Sequence, residues 1–543
     1  MRNFTFFHCY TKDLWKGYEK NGFLDGNYGI RFMQNVNIPE ELKFNQAAKK
    51  GGELYEYIKK NNCSFYIDRL QGGDFIQDYE YDQDLINMYK DMLGEKFKGF
   101  QMHEWFSNYR GDLNWKLGDL SAEDWTAENI QKIIFEKFPY KTLFLEAMTL
   151  EEMTAAGKPL TWKQYYDNMT AIYKKRAANH DLVPCDSYFL MYPFEAENGA
   201  KTIMPEVGGQ IPDMRLQMAF ARGVCRSYGL TLGAYYEPWG GDPFACCSYH
   251  EGDKNEWMIR GDEDFPFTPG GPNGGSSRSL QSRILLYAYL SGAEMMSEEW
   301  GGYNTFIDCK DYKLSEYGIV KKNFLEFVKK YPDIGEKVAP IAAVISNNYI
   351  CYTLDDPEGK LFGYPVEGKL AEELQIVRDG VEKIFKKSEE QIAYEDRIII
   401  NSTIPDAVDM LNVHDGKSLC NYRYLVDLTN EKEFAEGRDN LISPDEVEEK
   451  LHELLPCKVE GGFHDLLNKR GEKGYYLSVF NHSGITRSQA EGEKILEEAT
   501  KTAVITLKDG RSLKALEGNK NVEFKDGKYF VTLKGGEWLF AEI

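Results

Sequence analysis

The chain has 543 residues, with 65 lysines and arginines against 87 aspartates and glutamates, a formal charge of −22. That balance speaks against a nucleic-acid backbone or an anionic membrane as the main partner, and no apolar run reaches the roughly 18 residues of a transmembrane helix. Apolar residues make up 42 % and aromatics 14 %, enough for a large core and too much for bulk disorder.

The first ten residues lack the apolar stretch and small-residue cleavage site of a signal peptide. Ten scattered cysteines form no Cys-x-x-Cys pair. Together these predict a cytoplasmic protein with reduced thiols, most of them small buried hydrophobes.

Strands are expected at 4–9, 28–34, 64–70, 97–104, 142–147, 187–192, 231–237 and 293–298, short apolar or β-branched runs that end in polar or aromatic residues. Helices are expected at 13–20, 45–60, 81–93, 127–138, 162–178, 214–228, 279–290 and 316–330. Strict alternation implies a parallel sheet, because parallel neighbours need a crossover. Eight repeats within residues 1–335 fit a closed (β/α)8 TIM barrel. An open sheet would call for a glycine-rich phosphate turn, and Gly72-Gly73 lacks the third glycine.

Beyond the barrel, residues 336–430 read as a small α/β domain, with strands at 340–346, 397–401 and 422–428 and a helix at 369–387. Residues 431–456 are charged and read as a linker with one short helix, started by Ser443-Pro444-Asp445-Glu446. Residues 457–543 read as an antiparallel β-sandwich, with hairpin turns at Lys508-Asp509-Gly510 and Lys525-Asp526-Gly527.

Barrel chemistry sits at the C-terminal ends of the strands. Those ends hold Asp68 and Arg69 on the third, His103 and Glu104 on the fourth and Glu146 on the fifth. Tyr192 closes the sixth, Glu237 the seventh, and Glu298, Glu299 and Trp300 the eighth. Trp105, Tyr236 and Trp239 flank them. Carboxylates beside flat apolar rings suit a sugar, whose C–H faces lie on the rings while its hydroxyls reach the acids. Glycosidic cleavage needs one protonated and one ionised carboxyl. Glu104 sits between His103 and Trp105, and Glu237 sits in Tyr235-Tyr236-Glu237-Pro238-Trp239. Glu206 falls in an expected loop on the same face, where it would bind substrate or start a helix near Asp213. Arg69 would grip a carboxylate such as a uronate, or pair with a neighbouring acid. The loop 241–275 would be a lid or a protomer contact. No second histidine stands at ligand spacing from His103, so no metal is expected.

With Glu104 and Glu237 so placed, the chain resembles the clan of retaining glycoside hydrolases built on (β/α)8 barrels. From Arg278 onward its architecture is similar to that of family 42 β-galactosidases: a helix ending Tyr289-Leu290-Ser291-Gly292-Ala293-Glu294, the eighth strand, a last helix, a small α/β domain and a C-terminal β-domain. The resemblance implies an acid/base glutamate closing the fourth strand and a nucleophile closing the seventh, which makes Glu104 and Glu237 the expected pair; if residues 4–9 were not the first strand, Glu146 with Glu298 or Glu299 would take those places. His103 stands where the clan has Asn, implying that it takes over the sugar's 2-hydroxyl or that the 2-position differs. The resemblance also implies a homo-oligomer, trimer or dimer, through the small α/β domain, and an oligosaccharide or glycoside substrate with no cofactor. Two rival readings are a non-catalytic carbohydrate-binding barrel and a transglycosidase or lyase on the same fold.

Overall fold

A computed structural model describes residues 4–33, 40–68, 79–137, 145, 147–187, 189–208, 214–237, 277–299, 305–307, 310–346, 359–385, 402, 404–413, 418–472, 474–482, 485–488 and 492–543. Eight parallel strands close into a barrel. They are β1 (Thr5–Cys9), β2 (Tyr28–Met33), β3 (Ser64–Asp68), β4 (Phe97–His103), β5 (Leu182–Asp186), β6 (Thr202–Gly208), β7 (Thr231–Glu237) and β8 (Met295–Glu298). Closure is made by β8 against β1, with Thr5 opposite Met295.

Two expected strands are corrected. The fifth is Leu182–Asp186 and the sixth Thr202–Gly208. Each carries a proline, Pro184 or Pro205, which removes a ladder donor and hides the strand in a propensity reading. Of the expected strand at 142–147, Leu145 and Ala147 lie outside any strand and the rest lies outside the described residues. The expected strand at 187–192 runs into the helix Tyr192–Glu197 instead. Two expected strands are thus replaced by two others, so the count up to residue 231 is unchanged.

Alternate residues point inward, as the strand period requires. Phe7, Tyr66, Val183, Cys185, Met204, Tyr235 and Met295 form one buried cluster, a side-chain layer that fills the barrel. Gly29 makes room for it, since a Cβ there would lie 2.3 Å from the Phe7 ring.

A four-stranded parallel sheet follows, in the order Val408–Asn412, Ile341–Ile345, Tyr424–Leu428, Leu441–Ile442. The outer strand Val408–Asn412 was not expected, and the strand expected at 397–401 lies outside the described residues. The barrel helix Met214–Tyr228 packs on this sheet so closely that a Cβ at Gly223 would meet the Met410 carbonyl at 2.0 Å. Gly223→Ala is therefore expected to destabilise the protein by about 1–3 kcal/mol, because overpacking outweighs the gain in helix propensity. Chemical denaturation checks this; an unchanged midpoint would contradict the close packing.

The C-terminal part forms a four-stranded and a five-stranded antiparallel sheet, and Glu336–Lys337 joins the latter as an edge. Asp509, Gly510, Asp526 and Gly527 all have positive φ, the backbone that the expected Asp-Gly turns require. Among the described residues, no helix is long and apolar enough to cross a membrane.

Candidate active site

β4 ends at His103, and Glu104 turns into the left-handed region with φ of 47° before the helix Trp105–Arg110 begins. A non-glycine residue held there costs on the order of 1 kcal/mol and is a common mark of functional sites. The Glu104 amide still donates to the Cys185 carbonyl at 2.7 Å, so the turn begins at the last rung of the ladder.

Glu206 faces inward from β6 and Glu237 from the end of β7. The carboxylate oxygens of Glu104, Glu206 and Glu237 lie within 4.8 Å of one another. Glu237 and Glu206 are buried, whereas the Glu104 side chain is 33 % exposed, so the trio is wet on one side only. Gly208 stands opposite Glu237 in the ladder, and a Cβ there would lie 2.9 Å from the Glu237 Cβ and 3.2 Å from its Oε2. The glycine thus leaves the space that Glu237 fills.

His103 lies beneath the trio and is buried. Its Nε2 is 3.4 Å from Glu206 Oε1 and 3.6 Å from Glu299 Oε1, and its Nδ1 is 3.8 Å from Glu104 Oε2. The Tyr235 ring meets it edge-on at 5.1 Å. Burial pushes the Glu206 carboxyl well above its usual range, and Glu104, Glu237, Glu299 and Asp186 push it the same way.

Asp68 is also inward-facing and buried, but it is engaged by Arg31, whose Nη2 donates to Asp68 Oδ2 at 2.6 Å and to the Tyr235 hydroxyl at 2.7 Å. Arg31 is a site residue the sequence reading missed. The signal was an arginine inside the otherwise apolar run Ile30-Arg31-Phe32, where only a barrel interior could hold it. Asp186 was missed with its strand; its Oδ2 accepts from the Phe106 amide at 3.0 Å and so pins the start of the helix after Glu104.

Four expected substrate contacts are corrected. Trp105 is buried among the outer helices, stacked on Tyr109, with its indole donating to the Ala147 carbonyl at 2.8 Å. Tyr236 faces outward, 6.3 Å from the Tyr317 ring, because its neighbours Tyr235 and Glu237 face inward. Glu298 is turned away from the mouth by the same alternation, into an ion pair with Lys321 and a hydrogen bond from Tyr317. Tyr192 is buried in its helix and donates to the Asp186 carbonyl at 2.9 Å. Arg69, Glu146, Trp239 and Trp300 lie outside the described residues. If Trp105 only packs, Trp105→Phe should leave KM for a substrate unchanged and lower stability by roughly 1 kcal/mol through the lost hydrogen bond. Steady-state kinetics beside chemical denaturation check this, and a several-fold rise in KM would contradict the placement.

His103, Cys185 and Glu206 also bring donor atoms within 4.8 Å of one another, as do the three glutamates. The described groups with distances suited to sharing a cation are thus the same ones that line the barrel mouth.

Fold and site together define a closed (β/α)8 barrel with a carboxylate trio at its C-terminal mouth. No family model and no curated protein matches the chain. Two solved structures are similar over its full length: the polyextremophilic β-galactosidase of the Antarctic haloarchaeon Halorubrum lacusprofundi (9 % identity, 99 % of that chain covered, TM-score 0.41) and the α-L-fucosidase isoenzyme 2 of Paenibacillus thiaminolyticus (9 % identity, 100 % covered, TM-score 0.42).

Proposed function

We propose that the protein is a retaining glycoside hydrolase that removes a terminal sugar from a small oligosaccharide or glycoside, with Glu104 as general acid/base and Glu237 as nucleophile. The observation that carries this reading is the spacing of the two carboxylates, whose oxygens approach within 4.8 Å. Direct displacement by a carboxylate asks for carboxyl groups about 5–5.5 Å apart, whereas a water held between them asks for about 6.5–9.5 Å.

The burial of the pair matches the division of labour. Glu104, partly exposed, protonates the leaving oxygen and exchanges its proton with water. Glu237, buried and backed by Gly208, attacks the anomeric carbon from a fixed position. In the second half, Glu104 takes a proton from water, the water oxygen attacks the same carbon, and Glu237 leaves.

A panel of nitrophenyl galactoside, glucoside, mannoside, fucoside and glucuronide tests the reading. Turnover of at least one, with the first-formed sugar keeping its anomeric configuration by NMR, is expected. An inverted product contradicts the mechanism. Ligand binding without turnover on any member would point to a non-catalytic barrel.

A further inference from the structure

The two-carboxylate mechanism uses Glu104 and Glu237 and leaves the third member of the trio without a task. Glu206 is 1 % exposed, and its Oε1 accepts no hydrogen bond among the described residues. The groups that face it are His103 and Glu104 from the end of β4, Cys185 and Asp186 from β5, Glu237 from β7 and Glu299 after β8. From the helix Met214–Tyr228, Gln217 holds only its backbone, donating to the Glu206 carbonyl at 2.8 Å. An acid so placed is not needed to start a helix, and its surroundings are mostly acidic. Three carboxylates this close in a shielded site do not all ionise. Glu206 and Glu237 are equally shielded, each 1 % exposed, and because a nucleophile acts as its anion, the proton of the buried pair falls to Glu206. A protonated carboxyl is a hydrogen-bond donor in a place where the other acids are acceptors.

We propose that Glu206 is a positioning residue whose O–H follows the negative charge of the site, donating to Glu237 in the resting enzyme and to Glu104 in the covalent intermediate. The proposal rests on the glycosidase reading above. At the start Glu104 and Glu206 carry protons and Glu237 carries the charge. When the glycosidic bond breaks, the Glu104 proton goes to the leaving oxygen and Glu237 becomes an ester. The charge has then moved from Glu237 to Glu104 while the trio's total stays at one negative charge. Both oxygens lie within 4.8 Å of the Glu206 carboxylate, so a small rotation of the Glu206 carboxyl re-aims the donor. Water deprotonation by Glu104 and departure of Glu237 return the charge to where it began. His103, flanked by Glu206 and Glu299, holds the Glu206 side chain at the height of the pair.

Two variants and one spectrum test this. Glu206→Leu removes the donor and should lower kcat about 100-fold or more, the size seen when a single charge-stabilising donor is lost, with KM changed only a few-fold. Glu206→Gln keeps an N–H donor and should recover kcat to within about 10-fold of wild type. Infrared difference spectra at neutral pH, wild type minus Glu206→Gln, should show the band of a protonated carboxyl, a readout that needs no substrate and survives if the leucine variant fails to fold. Full kcat in Glu206→Leu, equal losses in both variants, or the absence of that band would overturn the proposal. Failure of the glycosidase reading looks different: wild type hydrolyses no glycoside, which removes the kinetic role, while the band still decides whether Glu206 holds the proton.

Discussion

Glu237→Gly is expected to lower turnover of a nitrophenyl glycoside by roughly 10⁴-fold or more, the scale on which loss of a nucleophile acts when the rest of the site persists. The residue ends β7, is buried, and fills space that Gly208 leaves open, so the variant leaves a small cavity below the sugar rather than a collapsed strand. Azide fits such a cavity and can attack the same anomeric carbon, so added azide should restore turnover and give a glycosyl azide of inverted configuration. In kcat/KM, which reports the first step, Glu104→Gln should cost about 10²–10⁴-fold with poor leaving groups, because the proton donor is lost, and much less with a dinitrophenyl group, which needs no protonation. Its kcat should stay low even then, because the second step has lost the base that activates water. Rates within 10-fold of wild type in either variant would remove that residue from the mechanism.

Asp406→Ala is expected to cost about 3–5 kcal/mol, the penalty for breaking a buried ion cluster by removing one partner. Asp406 sits where barrel, parallel sheet and C-terminal sheets meet. Tyr287 donates to its Oδ2 at 2.6 Å, Arg222 Nη2 lies 3.2 Å from Oδ1, and His464 Nε2 lies 3.2 Å from Oδ2. Lys337 lies 3.7 Å from Oδ1, and Arg222 continues to Asp409 at 2.9 Å. Burial alone would raise the Asp406 pKa, but Lys337, Arg222 and His464 hold it well below the usual carboxylate range. A folded-state pKa below the unfolded one stabilises the protein above the ordinary carboxyl range, and that stabilisation is lost as pH falls through the folded value. Asp406→Asn should therefore flatten the acid side of the stability profile. Denaturant titrations at several pH values check both variants; a loss below about 1 kcal/mol in the alanine variant would contradict the cluster's role.

Much of the barrel was legible because its strands are short apolar runs with acidic ends, and because β4 and β7 contain no proline. β5 and β6 were not, since Pro184 and Pro205 lower strand propensity while the closed ladder tolerates one missing donor. The strands expected at 142–147 and 187–192 take their two places in the count, which is why Glu237 still falls on the seventh strand. The errors around the site are errors of parity. Once Glu237 faces inward, Tyr235 must and Tyr236 cannot, and the same alternation separates Glu299 from Glu298. Trp105 escapes that rule because the left-handed turn at Glu104 starts a helix, and its first residue points into the helical shell. The Asp-Gly turns of the C-terminal sheets could be read in advance because few other dipeptides tolerate two successive residues at positive φ. The proline before Glu206 makes its segment read as a loop, and only the ladder between β6 and β7 brings it to the pair.

The most direct measurement of the central claim is mass spectrometry of the protein after incubation with activated 2-deoxy-2-fluoro glycosides of the sugars it turns over. The fluorine slows the second step more than the first, so the covalent intermediate accumulates. One sugar per chain, carried on the peptide that contains Glu237, is the predicted result. A label on Glu104, Glu206 or Glu299, or hydrolysis with no label at any time, would contradict it.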